Sequence, residues 1–488
     1  MNNLNYLARE TAAASTVENS AAAFDPAEPL DDSERGITNG LDYYKPTMSQ
    51  LQHEKYPDAV ATFRLINRDK ERKIADYVDP DALQKSLDDL RAKGFSPEEL
   101  GGLQTLVDPN GNTIFASDYL NFLDNSELPR AKVISDDKGD LGVEAHGPWA
   151  LATFWETVAM GLINEQYMEN YMTARGIDPR TVYDEGDRRL SEKIALLRQH
   201  PEIQLAEFGA RRRFSAKWQK HVIERLQNEC PANLVGTSNV AFALSRGLKP
   251  IGTYAHEMPM GYEGIAAADG RENPLLSHAR MMEDWDAKYP FMDTALTDTF
   301  GSDFFWADFT RWQTDPVTGE PFRAIDRYRG VRHDSGDPFK FGDKFIEVCY
   351  ACGIDPMTKT ICFSDSLDIP TTIRLAEHFA GRVNFNFGIG TNLTNDLGIR
   401  ALNIVMKAVA IERGGRRANL AKLSDDPGKH TGDPDAIARL ERERQHYFAQ
   451  LAADAQSLAE PHFDALQRSQ KLISPTFAPP AQETAGAK

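Results

Sequence analysis

From about residue 200 onward, short β-rich runs alternate with amphipathic helical segments. The runs end in small or polar residues and read IQLAEFG, NLVGTSN, PIGTYAHE, TALTDT, YRGVRHDSGD, KTICFSDSLD and VNFNFGIGTN. Between the first two, Trp218, Val222 and Leu226 recur at helical spacing and form an apolar stripe suited to covering a sheet. Seven strand-then-helix units predict an α/β fold with a parallel sheet, because parallel strands need long crossover connections.

Two architectures satisfy this alternation, a closed α/β barrel and an open doubly wound sheet. We favour the barrel, because polar residues follow nearly every strand instead of gathering at one switch point. The charged residues at the strand ends are Glu257, Asp298, Asp334, Asp337, Asp365, Asp368, Arg211, Arg212, Arg213 and Arg332. Small hydrogen-bonding residues follow two other strands, at 236–239 and 388–392. Helix capping explains any one cluster equally well, but together they indicate a phosphorylated substrate and its metal ion.

The regions that flank this alternation differ from it in character. Residues 1–37 are rich in Ala, Ser, Asn, Asp and Glu without sustained periodicity, so we predict a disordered N-terminal arm. Residues 38–165 mix strand-like runs such as AVATFRLI with helical ones such as PDALQKSLDDLRAKG, which predicts a separate α+β domain. The alternating segment then forms its own domain over 166–399, and we predict a flexible tail at 471–488.

The charge balance limits the partners of the chain. It carries 55 basic and 73 acidic side chains, which gives a formal net charge of −18. This excludes a broadly basic surface for non-specific nucleic-acid binding and disfavours attraction to an anionic membrane. No apolar run reaches about 18 residues, and the N-terminus lacks a basic segment followed by an apolar one. We therefore expect a cytoplasmic protein without a membrane span.

Two of the four cysteines, Cys349 and Cys352, have the CxxC spacing of redox and zinc sites. No second CxxC pair or histidine pair accompanies them in the sequence. We interpret them as structural thiols on a helix that ends at Gly353, in a reducing compartment. A metal-binding or redox role is the alternative.

Ten sequence blocks, in order over about 38–430, resemble the nicotinate phosphoribosyltransferases of the bacterial type, a family of type II phosphoribosyltransferases. The blocks are YKPTM at 44–48, EFGARRRFS at 207–215, GTSN at 236–239, GTYAHE at 252–257, LTDTF at 296–300, RGVRHDSGDP at 329–338, FSDSLD at 363–368, FGIGTN at 387–392, LNIVMK at 402–407 and AKLSDDPGK at 421–429. The resemblance implies an irregular seven-stranded TIM-like α/β barrel with an additional α+β sandwich domain. Residues at about 400–470 would complete this sandwich domain.

The same resemblance implies an activity in NAD salvage. Nicotinate and 5-phosphoribosyl 1-diphosphate would give nicotinate mononucleotide and pyrophosphate. ATP hydrolysis would be coupled to this transfer through a transient phosphohistidine, and Mg²⁺ would be required. No GxxxxGK[ST] loop occurs in the sequence, so ATP would have to bind without one.

Three residues resemble catalytic groups of the family. His256 in GTYAHE would be the phosphorylated histidine, and the neighbouring Glu257 would hold its tautomer. Asp334 would hold the ribose hydroxyls and steady an oxocarbenium-like centre at C1. Asp298 and Asp365 are the next candidates for ribose or magnesium contacts, with helix capping as the alternative. The sequence leaves open which carboxylates hold Mg²⁺.

The resemblance also implies a binding site for phosphoribosyl diphosphate. Its residues would be Arg211, Asp298, Asp365, Gly388, Gly390, Thr391, Lys422 and Lys429. Gly388 and Gly390 would let the backbone approach the 5-phosphate, and Thr391 would add its hydroxyl. Lys422 and Lys429 would reach the diphosphate, although solvated surface lysines are an equally good interpretation.

For nicotinate, the implied binding residues are Tyr44, Phe208, Ser238, Thr253 and Arg332. Phe208 and Tyr44 would sandwich the pyridine ring. In the family, Tyr44 would come from a second subunit, which implies a homodimer with shared active sites. One alternative is a nicotinamide phosphoribosyltransferase, in which an aspartate stands where this chain has Ser238 and would repel a carboxylate. Another is a non-catalytic barrel that binds pyridine nucleotides.

Overall fold

The computed structural model describes residues 24–31, 34–69, 71–135, 139–315, 318–425 and 430–451. The strands are β1 (Val60–Asn67), β2 (Ala131–Ser135), β3 (Leu141–Pro148), β4 (Leu205–Glu207), β5 (Leu234–Thr237), β6 (Thr294–Leu296), β7 (Gln313–Thr314), β8 (Pro321–Phe322), β9 (Gly330–His333), β10 (Thr360–Phe363), β11 (Asn384–Ile389), β12 (Ile404–Arg413), β13 (Arg416–Asn419), β14 (Ala421–Lys422) and β15 (Thr431–Gly432). Lys429 and the predicted tail at 471–488 lie outside the described residues.

The helices fill the connections between these strands. They are α1 (Tyr44–Lys55), α2 (Pro80–Lys93), α3 (Pro97–Thr105), α4 (Ser117–Asp124), α5 (Trp149–Ala152), α6 (Trp155–Arg175), α7 (Pro179–Leu197), α8 (Ala216–Glu229), α9 (Val240–Ser245), α10 (Glu257–Ala268), α11 (Ser277–Lys288), α12 (Ser302–Thr310), α13 (Ala324–Arg327), α14 (Pro338–Ala351), α15 (Ile369–Phe379) and α16 (Thr391–Thr394). A further helical segment covers 434–451. In the described part of the chain, no helix is both long and apolar enough to cross a bilayer.

One sheet is antiparallel and has the strand order β13-β12-β1-β3-β2. Phe63 and Leu65 of β1 are buried, whereas Arg64 between them is exposed and pairs with Glu144 of β3. This alternation is that of a half-buried strand. Strand β1 is paired along its whole length with β12. The chain therefore returns to this sheet after it has left the parallel one.

The other large sheet is parallel and has the order β5-β4-β11-β10-β9-β6. Its first strand along the chain, β4, pairs with its last, β11. The sheet order is therefore cyclic in the sequence, which differs from the two outward-running halves of a doubly wound sheet. The mixed α/β class predicted from the alternation is confirmed.

The run PIGTYAHE, predicted as a further strand, adds only a single parallel bridge, between Pro250 and Thr237. Thr237 N donates to Lys249 O at 3.2 Å, and Ile251 N donates to Thr237 O at 2.9 Å. On the side of β6, Leu296 N donates instead to the side-chain hydroxyl of Tyr254, at 3.2 Å. Since Pro250 lacks an N–H and a hydroxyl takes the place of a backbone acceptor, the parallel sheet has six strands among the described residues.

Helix α8 covers this sheet with the stripe that the sequence predicts. Trp218, Val222 and Leu226 are each at most 1% exposed, which confirms that stripe. On α14, Cys349 is buried, and burial raises the pKa of its thiol to about 12. Burial also raises the pKa of the Cys352 thiol. Both shifts disfavour the reactive thiolate and so favour structural thiols.

Part of the predicted disordered arm packs against the parallel-sheet domain. The ring of Phe24 lies 5.3 Å from that of Trp218, centroid to centroid. Glu34 is fully buried and pairs with Lys220 at 2.9 Å and Arg246 at 2.7 Å. The folded chain therefore begins before residue 38. Local composition could not reveal this, because the partners of these residues lie about 190 to 210 positions further along the chain.

Candidate active site

The imidazole of His256 lies in a buried polar cluster at the carboxyl ends of the parallel strands. His256 immediately precedes α10, and its side chain is 5% exposed. Its Nδ1 lies 2.9 Å from Thr299 Oγ1, just beyond β6. Its Nε2 lies 2.9 Å from Asp334 Oδ2, just beyond β9, and 2.9 Å from Lys422 Nζ on β14. Three separate segments thus meet around one imidazole, as expected where parallel strands end at the same edge.

Lys422 is held in the cluster by an ion pair and by backbone hydrogen bonds of the two residues that follow it. Its Nζ lies 2.8 Å from Asp298 Oδ2, which also accepts from Ser335 Oγ at 2.6 Å. Leu423 N and Ser424 N donate to the backbone oxygens of Thr299 and Asp298, at 2.9 and 3.2 Å. Lys422 is 7% exposed and serves the His256 of its own chain, so it is not a solvated surface lysine.

The charges of the cluster favour a nucleophilic histidine. Burial, aided by the Lys422 ammonium, lowers the pKa of His256 to about 4 against the opposing effect of Asp298 and Asp334. The imidazole is therefore neutral near pH 7, and a neutral ring nitrogen has a lone pair available for attack. Burial opposes ionisation of Asp334, but Arg332, His256 and Lys422 together hold the pKa of this carboxyl well below its usual range.

Glu257 does not hold the imidazole, which corrects the role expected for it. Its Oε2 accepts from the fully buried ammonium of Lys45 at 2.5 Å. Its Oε1 accepts from Gln52 Nε2 at 2.9 Å and from Trp149 Nε1 at 3.0 Å. Successive residues entering a helix point about 100° apart, so a neighbour in sequence faces another way. Thr299 and Asp334 occupy the two ring nitrogens of His256 instead.

The cluster includes a candidate set of metal ligands. One ligand atom from each of His256, Asp298 and Asp334 lies within 4.8 Å of the others. Asp298 Oδ1 is buried and has no hydrogen-bond partner in the described part of the chain. Carboxylate oxygens are what Mg²⁺ prefers, so these two aspartates fit the ion. Asp365 is partly buried and accepts from the Ser366 hydroxyl at 3.1 Å.

The glycines of FGIGTN have a packing role that the sequence did not reveal. A Cβ on Gly388 would lie 2.3 Å from the ring of Phe208, and one on Gly390 would lie 2.9 Å from the Phe208 carbonyl oxygen. Real Cβ contacts are essentially never this short, so both positions require glycine for the approach of β4. Thr391 is partly exposed and begins the four-residue helix α16. Whether this loop binds a phosphate stays a prediction.

Tyr44 lies beside Arg211 of its own chain. Arg211 Nη1 donates to the Tyr44 hydroxyl at 3.0 Å, and that hydroxyl donates to Asp42 Oδ2 at 3.1 Å. Ser238 Oγ donates to the other oxygen, Asp42 Oδ1, at 2.6 Å. Within one chain, Tyr44 therefore lies beside Arg211, and the supply of Tyr44 by a second subunit stays a prediction. The short segment 41–44 bridges to Asn239 and places Tyr44 in the site of the same chain.

The other residues expected to bind nicotinate lie around the same site but make fewer contacts than Tyr44 does. Phe208 is partly exposed over Gly388. Thr253 Oγ1 donates only to the Tyr254 carbonyl, at 3.3 Å. Arg332 Nη2 lies 4.0 Å from Asp334 Oδ1, and its buried Nε has no partner among the described residues. That guanidinium is therefore available to an anion.

Three functional candidates escaped the sequence-based reasoning, and a fourth, Arg212, was named there only as a charged residue at a strand end. Asp42 lies outside the ten blocks, and Thr299 lies inside LTDTF but resembles a helix-capping residue. Lys407 ends the LNIVMK block, and its Nζ lies 3.2 Å from Glu156 Oε1; burial lowers its pKa to about 8. Burial, with Arg211 beside it, lowers the pKa of Arg212 to about 10, and its buried Nε lacks a partner in the described part of the chain. The two basic residues had a signal, since each lies in a block that the resemblance used.

Comparisons with known proteins agree with this geometry. A model of the nicotinate phosphoribosyltransferase family matches residues 203–447, and a model of the N-terminal domain of that family matches 41–164. The structure of nicotinate phosphoribosyltransferase from Porphyromonas gingivalis is 30% identical, covers 84% of this chain and 99% of its own, and superposes with a TM-score of 0.73. That from Vibrio cholerae is 32% identical, with coverages of 84% and 94% and a TM-score of 0.71. On these matches, the chain belongs to the nicotinate phosphoribosyltransferase family.

Proposed function

We propose that this chain joins nicotinate to 5-phosphoribosyl 1-diphosphate, with ATP hydrolysis coupled through phosphorylation of His256. The products are nicotinate mononucleotide and pyrophosphate. One observation carries the proposal: a buried imidazole contacts Asp334 and Lys422 at the strand ends. Beside it, Arg212 and Arg332 keep buried Nε donors without partners in the described part of the chain, which supports binding of anions there.

In the proposed phosphoryl step, a ring nitrogen of His256 attacks the γ-phosphorus of ATP. The bond to the bridging oxygen breaks, and ADP leaves with that oxygen. Water then attacks the phosphorus of the phosphohistidine, the N–P bond breaks, and inorganic phosphate leaves the neutral imidazole. The 2.9 Å contacts to Thr299 and Asp334 hold the ring in place, and the Lys422 ammonium neutralises charge on the transferred group. This division of roles needs no proton transfer from Glu257.

In the proposed ribosyl step, the protein positions charges and moves few protons. The C1–oxygen bond to pyrophosphate breaks as the pyridine nitrogen forms the new bond, and Asp334 faces the developing positive charge. Asp298 and Asp334 would hold Mg²⁺, which neutralises the leaving pyrophosphate when bound. Arg211 and Arg332 would bind the anionic groups, and Thr391 with its glycine loop would take the 5-phosphate.

We also propose that the run at 250–255 completes an irregular, TIM-like barrel of seven strands. The cyclic order of the parallel sheet supports this arrangement. The backbone hydrogen bonds that Thr237 exchanges with residues 249 and 251 support it further, because they extend β5 towards β6.

Replacing Ser238 by aspartate should reverse much of the preference for nicotinate. The hydroxyl of Ser238 already donates to the buried carboxylate of Asp42, so a second carboxylate there would repel the carboxylate of nicotinate. We expect kcat/KM for nicotinate to fall about 100-fold, with a smaller loss for nicotinamide. Steady-state kinetics with both substrates test this, and Ser238→Thr, which keeps the hydroxyl, is the control. Equal losses for the two substrates would contradict the assignment.

A homodimer stays a proposal, but each chain should use its own Tyr44. Tyr44→Ala and His256→Asn chains would each be impaired alone. Sites shared between subunits would regain activity when the two variants are mixed, because one mixed site would contain both native residues. We expect no regain, since Tyr44 contacts Arg211 of the same chain. Clear recovery in a mixed-subunit assay would show that a partner supplies the tyrosine.

The direct test of the proposed function is product formation. Purified protein is incubated with nicotinate, phosphoribosyl diphosphate, Mg²⁺ and ATP, and nicotinate mononucleotide is quantified by chromatography. The proposal requires that product, with much less from nicotinamide. Equal product from nicotinamide would favour the nicotinamide phosphoribosyltransferase alternative. No product from either would favour a non-catalytic barrel.

A further inference from the structure

We infer that Glu207 is a positioning residue of the nicotinate pocket, whose buried carboxylate ties the turn carrying Phe208 to the strand end carrying Ser238. Glu207 is the last residue of β4 and lies directly before Phe208. The inference rests on the proposed function, because it assumes that Phe208 and Ser238 border the bound pyridine ring.

The carboxylate of Glu207 is fully buried and is surrounded by hydrogen-bond donors. Its Oε2 accepts from Thr237 Oγ1 at 2.6 Å on β5 and from Gln219 Nε2 at 2.9 Å on α8. Its Oε1 accepts from the backbone N–H of Gly209 in the turn after Phe208. No lysine, arginine or histidine pairs with it within the described ranges of the chain. A single carboxylate thus joins β5, α8 and the turn.

The neighbours of these donors fix the direction of each hydrogen bond. Gln219 Oε1 accepts from Arg213 Nη1 at 3.2 Å and from Asn239 Nδ2 at 3.1 Å, so its Nε2 has to face Glu207. The Thr237 hydroxyl accepts from Asn239 N at 3.0 Å and is left to donate to Glu207. All the groups around Glu207 therefore require it to act as an acceptor, which the ionised form does best.

The turn that Glu207 holds has little freedom to shift. The ring of Phe208 lies so close to Gly388 that a Cβ there would be 2.3 Å away, and a Cβ on Gly209 would be 2.7 Å from Glu207 Oε1. On the other side, Ser238 N donates to the Glu207 carbonyl at 2.8 Å. With so little space around the turn, even a small change in the hydrogen bonds of Glu207 should alter how the Phe208 ring lies relative to Ser238, and with it the site for the pyridine ring.

The ionisation of Glu207 gives this role a pH dependence. Burial raises the pKa of Glu207 to about 7, against the hydrogen bonds from Thr237, Gln219 and Gly209 and with a contribution from the negative charge of Asp42. The facing charged groups are Asp42 and, one hydrogen bond further away through Gln219, Arg213. Because the pKa in the fold exceeds the ordinary value of 4.5, protonation below pH 7 stabilises the fold. It also removes an acceptor from the turn, so nicotinate binding should weaken without unfolding.

Glu207→Gln separates this role from simple support of the fold. In the wild type, KM for nicotinate should rise as the pH falls through about 7, in a series from about pH 5.5 to 8.5. In the variant at pH 8, KM for nicotinate should be raised about tenfold and should vary little with pH. KM for phosphoribosyl diphosphate and labelling of His256 by ATP should stay unchanged. Glu224→Gln, on the same helix α8 as Gln219, is the matched control, because its partly buried carboxylate pairs with Arg246 at 2.8 Å away from the turn.

Three results would overturn the inference. KM for nicotinate in Glu207→Gln could stay within about twofold of wild type while the melting temperature falls, which would leave Glu207 a structural role only. The wild-type KM for nicotinate could be flat over the pH series, a result that does not depend on the variant folding. Both substrates could lose affinity together, which would indicate general disruption. Absence of any nicotinate mononucleotide from the wild type would instead contradict the proposed function.

Discussion

His256→Asn should abolish phosphoenzyme formation and ATP stimulation while a slow, ATP-independent transfer of the ribosyl group survives. Asparagine can still hydrogen-bond towards Thr299 but offers no nucleophilic nitrogen. We expect loss of at least about 100-fold in the ATP-stimulated rate, since covalent catalysis is removed as a whole. Rates with and without ATP, measured on the same preparation, give the comparison.

His278→Asn is the matched control for that variant. His278 is also a buried histidine, 2.8 Å from an aspartate, Asp308, but it lies outside the cluster around His256. Its replacement should lower stability and leave the ratio of rates with and without ATP as in the wild type. If His256→Asn also loses the ATP-independent transfer, His256 supports ribose binding or the fold and the coupling role is wrong.

Asp334→Asn should lower activity more than His256→Asn does, because Asp334 takes part in both proposed steps. Its carboxylate contacts His256 at 2.9 Å and faces Lys422 and Arg332 at 4.0 Å each. The amide has nearly the same shape but removes the negative charge, so Lys422 and Arg332 lose their shared counter-charge and His256 loses a charged hydrogen-bond partner. We expect kcat to fall at least about 1,000-fold, an effect of the size found when preorganised charge is removed from an active site. Phosphorylation of His256 should fall as well.

Asp337→Asn tests whether that loss is specific. Asp337 follows the same strand, β9, but its carboxylate accepts from Phe339 N and Lys340 N and caps α14. Asparagine caps helices about as well as aspartate, so activity should stay near wild type. Similar losses in the two variants would show that the strand end is merely sensitive to amide substitution, and would contradict the role given to Asp334.

The sequence predicted much of the fold because its dominant signal is periodic. The alternation of runs and helices required a parallel sheet, and Trp218 with its partners on α8 buried the predicted stripe. It predicted the site around His256 for a related reason. The carboxyl ends of parallel strands share one edge, so polar residues far apart in sequence, such as Asp298 and Asp334, could be expected to meet.

The features that the sequence could not predict depend on the direction in which side chains point and on contacts between residues far apart in the chain. Glu257 follows His256 directly in the sequence, but helix α10 directs the Glu257 carboxylate towards Lys45. The resemblance implied that a second subunit supplies Tyr44, whereas the Tyr44 hydroxyl contacts Arg211 of the same chain. The run PIGTYAHE was predicted as a strand, yet Pro250 lacks a backbone N–H and the hydroxyl of Tyr254 takes the place of a backbone acceptor. Each of these outcomes depends on tertiary geometry, which a local pattern does not encode.

The central claim, that ATP phosphorylates His256 and that this phosphate is lost by hydrolysis when the ribosyl transfer takes place, is tested most directly by locating that phosphate. Wild-type protein is incubated with Mg²⁺ and ATP labelled at the γ-phosphate, without nicotinate, and is digested at alkaline pH for mass spectrometry. We predict one acid-labile phosphate on His256, which is lost when nicotinate and phosphoribosyl diphosphate are added. No label, label on another residue, or label that persists after both substrates are added would contradict the account.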